Sequence, residues 1–306
     1  MTNNLKNWPK AWSWINLYFA LFIIVWGAWV RLSGSGAGCG EHWPLCNGDV
    51  IPTTTSIKTM IEFIHRLTSG IFGFTMLAMV YISFKSFAKN HPMRLMSILA
   101  LILTFIEALI GAVLVKKGLV EQNASSMRAI VIALHLTNTL LLMASLLGCV
   151  FFSQTQGREL KKVRISNEER ALFSVEAFMI LFVVTSGAIT ALGNTLFPDS
   201  SLIAGMMKDF SANSHFLTRL RIYHPISAVV MGGIFFLLCR SMRSYKELQN
   251  ICDACQGILV LAIAFGVINW LMMAPTWGAL THLFIANVLW LAFVWLFLKR
   301  RYVHTS

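Results

Sequence analysis

Four histidines, His65, His135, His224 and His282, stand inside long apolar stretches of the chain, and Glu62 sits three residues before the first of them. An ionisable side chain among residues suited to hydrocarbon is costly, so each marks a candidate site. A neutral imidazole offers one ring nitrogen to a metal, and two imidazoles on facing helices suit the axial positions of a haem iron. Two pairs imply two haems. A single membrane histidine serves equally well as a hydrogen-bonding group between helices, but four in matched positions favour ligation. Zinc wants three or four clustered ligands, so haem iron is the expected metal and no other is expected. Glu62 shares a helical face with His65, where it reaches either the edge of a haem or Arg66, four residues on. Glu107 is a second acid in an apolar stretch and suits a proton or water path. His42, His91, His215 and His304 fall between stretches or in the tail and read as solvated, with His215 near the rim of the second site.

These side chains need helices in a bilayer to hold them. The chain has 306 residues, of which 57% are hydrophobic and 12% charged, and its mean hydropathy is +0.67, far more apolar than a soluble domain. Runs of the roughly 20 residues needed to span hydrocarbon occur near 14–32, 61–84, 95–115, 129–153, 171–192, 220–240, 256–274 and 277–298. The expected fold is therefore all-α, with eight transmembrane helices. One set of alternate connecting segments, from Lys6 and Lys10 through Arg158 to Arg301, holds 16 Lys and Arg, whereas the other holds 8. The positive-inside rule then places both termini in the cytoplasm. The net charge of +12 is thereby read as topology in a lipid bilayer and not as a nucleic-acid surface. The apolar run after Lys10 is long enough to span and lacks a small-residue cleavage site, and the N-terminus is no transit peptide. A bacterial cytoplasmic membrane is the expected location.

The motifs occur twice. GAWVRLSGSG at 27–36, EFIHR at 62–66 and ALHLTN at 133–138 are answered by GAITALGNT at 187–195, RIYHP at 221–225 and LTHLFIAN at 280–287. The separations are 160 residues from Gly27 to Gly187, 159 from His65 to His224 and 147 from His135 to His282. This pattern implies two pseudo-symmetric four-helix bundles, 1–156 and 157–306, in the same orientation. At about 1.5 Å per residue, all four histidines lie roughly 6–9 Å below the outer surface, in one layer. The halves differ where Glu62 aligns with Arg221. An acid beside one haem and a cation beside the other suit chemistry at the first and electron relay at the second. Arg31, Arg66, Arg128, Arg219 and Arg221 lie near the outer surface, where they either meet haem propionates or snorkel to lipid phosphate.

Topology sorts the cysteines. Cys39 and Cys46 lie in the first external loop, where an oxidising compartment permits a disulfide that would tether a rim over a site. Cys252 and Cys255 form a CxxC on the cytoplasmic side without a second pair and read as incidental. Cys149 and Cys239 read as small buried apolar residues.

The loop SGSGAGCGEHWPLCNG, followed by IEFIHR and ALHL, resembles bacterial haem A synthase over essentially the whole chain in topology, most specifically in the first half. The resemblance implies an enzyme that oxidises the C8 methyl of haem O to a formyl group by two successive hydroxylations, giving haem A for cytochrome oxidase. It implies a resident haem b on His224 and His282, a substrate haem on His65 and His135, and Glu62 as the catalytic carboxylate, which stabilises positive charge at the methyl carbon or takes a proton from attacking water. Some members carry a second cysteine pair in the external loop of the C-terminal half; here 193–219 has none. Two other readings stand. A di-haem cytochrome b carrying electrons from quinol fits the histidines but has no use for Glu62, and a transporter on parallel repeats leaves the histidines unexplained. A haem O synthase is an expected partner, and the electron acceptor and any homo-oligomer stay open.

Overall fold

The computed structural model describes residues 7–53, 56–155 and 160–304. Lys6, Arg158 and the expected boundary between 156 and 157 lie outside them, as does the His304 side chain. Among the described residues eight helices are long and apolar enough to cross a membrane. They are α1 (Trp8–Leu32), α2 (Ile57–Ser86), α3 (Pro92–Lys116), α4 (Ser126–Ser153) and α5 (Asn167–Leu196), then the run Phe216–Met242, the run Lys246–Leu271 and the last helix, Thr276–Arg301. Between the fifth and sixth spans lies the short α6 (Leu202–Phe210). The sixth comprises α7 (Phe216–Arg219), a 3-10 turn and α8 (Tyr223–Met242); the seventh contains α9 (Gln249–Leu271), and α10 is Thr276–Arg301.

The helices start earlier than the apolar runs because capping side chains, not hydropathy, set their first turns. Ser56 accepts from the Thr59 amide at the start of α2. His91 caps α3 ahead of Pro92, and Ser166 and Glu169 form a capping box on α5. A short strand pair joins two segments of the all-α fold: β1 (Leu160–Lys162) pairs antiparallel with β2 (Tyr302–His304). Arg301 donates to the Val163 carbonyl, and the Tyr302 ring meets Phe152 edge-on at 5.1 Å, so the segment after α4 and the end of α10 are held together.

The chain forms two compact units. The first takes the described residues within Met1–Glu121, Asn138–Arg164 and Phe297–Ser306; the second takes Gln122–Thr137 and Ile165–Leu296. In the first, α2 packs on α1 and α3 around buried Met76, Met79 and Met93, and the hydroxyls of Ser83 and Ser97 meet at 2.7 Å. In the second, α8 packs on α5 and α9, and Phe293 contacts the rings of Phe173 and Phe235. Large apolar side chains such as Phe74, Phe105 and Phe178 are exposed, as on a surface solvated by lipid.

Candidate functional site

In the first unit Glu62 is 3% exposed and both its oxygens are engaged. Oε2 accepts from the Cys39 amide at 2.8 Å, and Oε1 is 2.6 Å from Arg66 Nη2. Arg66 also donates to the carbonyls of Leu45 at 2.5 Å and Gly40 at 3.3 Å. The loop between α1 and α2 is thus strapped to α2 through one acid and one base. The Cys39–Cys46 disulfide closes that loop, and Thr59 Oγ1 donates to Gly38 O at 2.8 Å. Arg66 Nε also donates to Oε1 at 3.1 Å, so three donors already sit on the roughly four lone-pair positions of the carboxylate. One helical turn on, the half-buried His65 ring lies against Gly27, where an added Cβ would come within 2.8 Å of Cε1.

The second unit repeats that contact. A Cβ on Gly187 would lie 2.9 Å from Cε1 of His224, and one on Gly266 would lie 3.0 Å from Cε1 of His282. His224 Nδ1 lies 3.0 Å from the Val183 carbonyl; a carbonyl only accepts, so Nδ1 carries the proton and Nε2 keeps its lone pair for a metal. The ring centroids of His224 and His282 lie 6.1 Å apart, with the planes 79° apart. Two metal–imidazole bonds of about 2 Å, plus roughly 1 Å from each bonded nitrogen to its ring centre, also give about 6 Å. The separation of the pair thus matches that of two axial ligands on one haem iron. Among the described residues no group of three or more His, Cys, Asp or Glu is arranged to hold a metal ion. His135, also half-buried, lies on the α4 stretch that belongs to the second unit.

The arginines divide by surroundings. Arg221, 6% exposed, pairs with Asp199 at 2.9 Å and Asp209 at 2.8 Å, and its Nη1 donates to Asn194 Oδ1 at 3.0 Å. Asp199 also pairs with Lys208 of α6 at 2.8 Å. The segment that lacks cysteines is thus held by ions where the α1–α2 loop is held by a disulfide. Burial works against the Asp199 carboxylate, but the Lys208 hydrogen bond and the Arg221 charge outweigh it and lower its pKa. At Asp209 burial prevails over Arg221 and raises the pKa. Arg128 is buried and donates to Asn123 O at 2.8 Å, Arg31 is half-buried in the last turn of α1, and Arg219 is exposed. Arg66 and Arg221 are thus committed to carboxylates.

Two histidines read as solvated are structural. His91 accepts from the Met93 amide through Nδ1 at 3.2 Å, leaving Nε2 3.1 Å from the Thr155 hydroxyl, and burial lowers its pKa. His215 caps α7 and stacks on Phe197 at 4.6 Å. Glu107 accepts from Asn138 and Thr139. Sequence reasoning passed over Glu176, which is fully buried in α5 with no hydrogen-bond partner for either oxygen among the described residues. The signal was present, since an acid within the 171–192 run is the same kind of anomaly as Glu62. It also separated Cys239 from Cys252 and Cys255, whereas the Cys239 thiol hydrogen-bonds with both.

Residues 10–294 match the sequence family described as cytochrome oxidase assembly protein. A protein of Thermus thermophilus named protoheme IX farnesyltransferase is 36% identical over 292 residues, covering 94% of this chain and 47% of its own length; the chain thus spans about half of that relative. A heme A synthase of Bacillus mycoides is 26% identical, covering 86% of this chain and 88% of its own. A heme A synthase of Exiguobacterium sibiricum is also 26% identical, with 72% and 78% covered.

Proposed function

Because the chain belongs to the cytochrome oxidase assembly protein family, we propose that it is a haem A synthase of the bacterial cytoplasmic membrane, with both termini in the cytoplasm and the four histidines towards the outer face. It converts the C8 methyl of haem O to a formyl group by two hydroxylations. Each inserts a water oxygen and releases two electrons and two protons, and loss of water from the doubly hydroxylated carbon leaves the aldehyde. The observation that carries the reading is Glu62: a buried carboxylate one turn from His65, held in place by Arg66 and the Cys39 amide, beside a loop tethered by a disulfide. A haem carrier has no use for this acid.

In this reading His224 and His282 hold haem b, which supplies a one-electron relay when bound. Val183 fixes the His224 tautomer that leaves Nε2 for iron. His65, and by the sequence repeat His135, serve the substrate haem. Glu62, fixed by Arg66 and the Cys39 amide, supplies the negative charge that stabilises positive charge developing at the methyl carbon or accepts the proton of the attacking water. Arg31, Arg66, Arg128, Arg219 and Arg221 are the candidate cations for propionates. The heme A synthases of Bacillus and Exiguobacterium support the reaction, and the farnesyltransferase name of the longer Thermus relative supports a haem-farnesylating enzyme as the partner that delivers substrate.

The test is to co-express the chain with a haem O synthase and identify the extracted haems by chromatography and mass. Haem A or its hydroxylated precursor together with haem B supports the reading, and haem B alone points to an electron-carrying cytochrome. Glu62→Gln keeps the shape but removes the charge. It is expected to retain haem B and lose roughly 100-fold or more of product formation, the scale of a lost acid–base group; undiminished product would exclude the role given to Glu62.

A further inference from the structure

A cavity of about 150 Å³ opens between α5 and the start of the sixth span, lined by Phe182, Thr185, Ser186, Ile189, Leu220 and Tyr223. A cavity of this volume with apolar walls takes one benzene-sized ring. Its walls are mainly aromatic and aliphatic, yet Thr185, Ser186 and Tyr223 each bring a hydroxyl. Phe182 is 45% exposed and Tyr223 55% exposed, and both belong to membrane-spanning helices, so the mouth opens at a depth where the solvent is lipid. At its inner wall Ser186 Oγ lies 3.4 Å from Nδ1 of His224, one side chain away from the imidazole that fits haem iron.

We infer that this cavity binds the ring of a membrane quinone, which accepts the electrons that leave the second haem. This inference rests on the reading of the protein as a haem-oxidising enzyme. Each hydroxylation converts a C–H bond and one water into a C–OH bond, two protons and two electrons, and a quinone takes up the same two electrons and two protons to become a quinol, so the exchange balances. The occupant has to be planar and ring-sized, reach the site laterally from lipid, and carry oxygens that hydroxyls recognise. A quinone ring meets all three requirements: a carbonyl accepts from the Thr185 hydroxyl, its ring lies against Phe182 and Tyr223, and its isoprenoid tail stays in the bilayer.

The test uses the full chain, haem-loaded, in lipid nanodiscs, with a short-tailed photoreactive azidoquinone as the probe. Labelling is expected in the peptides holding 182–189 and 220–223, suppressed by excess unmodified quinone but not by an equal excess of fatty acid. Thr185→Val, which loses a hydroxyl with little change of shape, is expected to weaken quinone binding about tenfold, the worth of one good hydrogen bond. A quinol of the same head group is expected to reduce the resident haem b, and more slowly in Tyr223→Leu, while dithionite reduces both proteins alike. Label scattered over lipid-facing helices, or displaced equally by fatty acid, overturns the inference and marks the cavity as an acyl-chain groove. Specific labelling and haem reduction in a chain that forms no haem A would keep the quinone site and discard the synthase reading. Haem A formation with no labelling would do the reverse.

Discussion

At Gly187 the space for a side chain is already filled by the His224 ring, and Gly27 stands in the same relation to His65. Gly187→Ala would set a methyl 2.9 Å from Cε1, and the ring must turn or the helices part. Overpacking of this kind costs about 1–3 kcal/mol. If the cost falls on the ligand geometry, haem b is held roughly 5- to 150-fold less tightly, visible as lost haem absorbance per protein after purification. Gly70→Ala is the control, since nothing lies within 4 Å of its new Cβ, and it should leave the spectrum unchanged. Equal spectra for both variants would remove the claim that these glycines exist for the imidazoles. The histidines, Glu62 and the glycine repeat were legible in the sequence because a polar group in an apolar run is conspicuous and duplication doubles the signal. Glu176 carried the same signal without the repeat to draw notice to it. The partners of Arg221 were not legible, because Asp199 and Asp209 reach it through the folding of a connecting segment that periodicity does not describe.

The two loops that follow the first helix of each half solve one problem by different means. The α1–α2 loop is closed by Cys39–Cys46 and strapped by Arg66, whereas the segment carrying α6 depends on Arg221, Asp199, Asp209 and Lys208. None of the α6 side chains is buried, and Ile203, Met206, Met207 and Phe210 are exposed at helical spacing, so ions and not a core hold it. Removing one member of a buried ion pair costs about 3 kcal/mol or more. Asp199→Asn should therefore speed amide hydrogen exchange across 197–215 roughly 100-fold at neutral pH. The pH dependence follows from the two shifts. Asp209, with its pKa raised, takes up its proton first as pH falls; the folded state binds that proton more tightly than the unfolded chain, so no stability is lost in that window. Asp199, with its pKa lowered, contributes fully above the ordinary aspartate value of 3.8 and loses its contribution only as pH falls through its own lower value. Exchange in 197–215 should stay slow through pH 4 in the native protein and rise below 3.8. A rise centred near pH 5 would mean that the latch does not depend on Asp199.

Across the whole molecule the eight spans could be counted in advance because a bilayer demands long apolar helices, while their first residues could not, because caps such as Ser56, His91 and Ser166 set them. The helices consequently extend beyond the apolar runs, and His65 and His224 lie deeper from the helix ends than the sequence implied. His65 follows Ile57 by eight residues and His224 follows Phe216 by eight, about 12 Å along each helix. All four histidines lie near the starts of even-numbered spans, which run in one direction if each span crosses the membrane once. Which face of the membrane they approach rests on charge alone, 16 cations against 8 on alternate segments. A fluorescent protein fused after Ser306 should fluoresce, as it does when it folds in a reducing cytoplasm, and alkaline phosphatase inserted after Gly118 or Ser200 should be active, as it is outside. The reverse pattern would place the Cys39–Cys46 pair in a reducing compartment, where a structural disulfide is not maintained. It would also turn the four histidines, Glu62 and the cavity at Tyr223 towards the cytoplasm. One reporter experiment thus fixes which face of the membrane the proposed chemistry approaches.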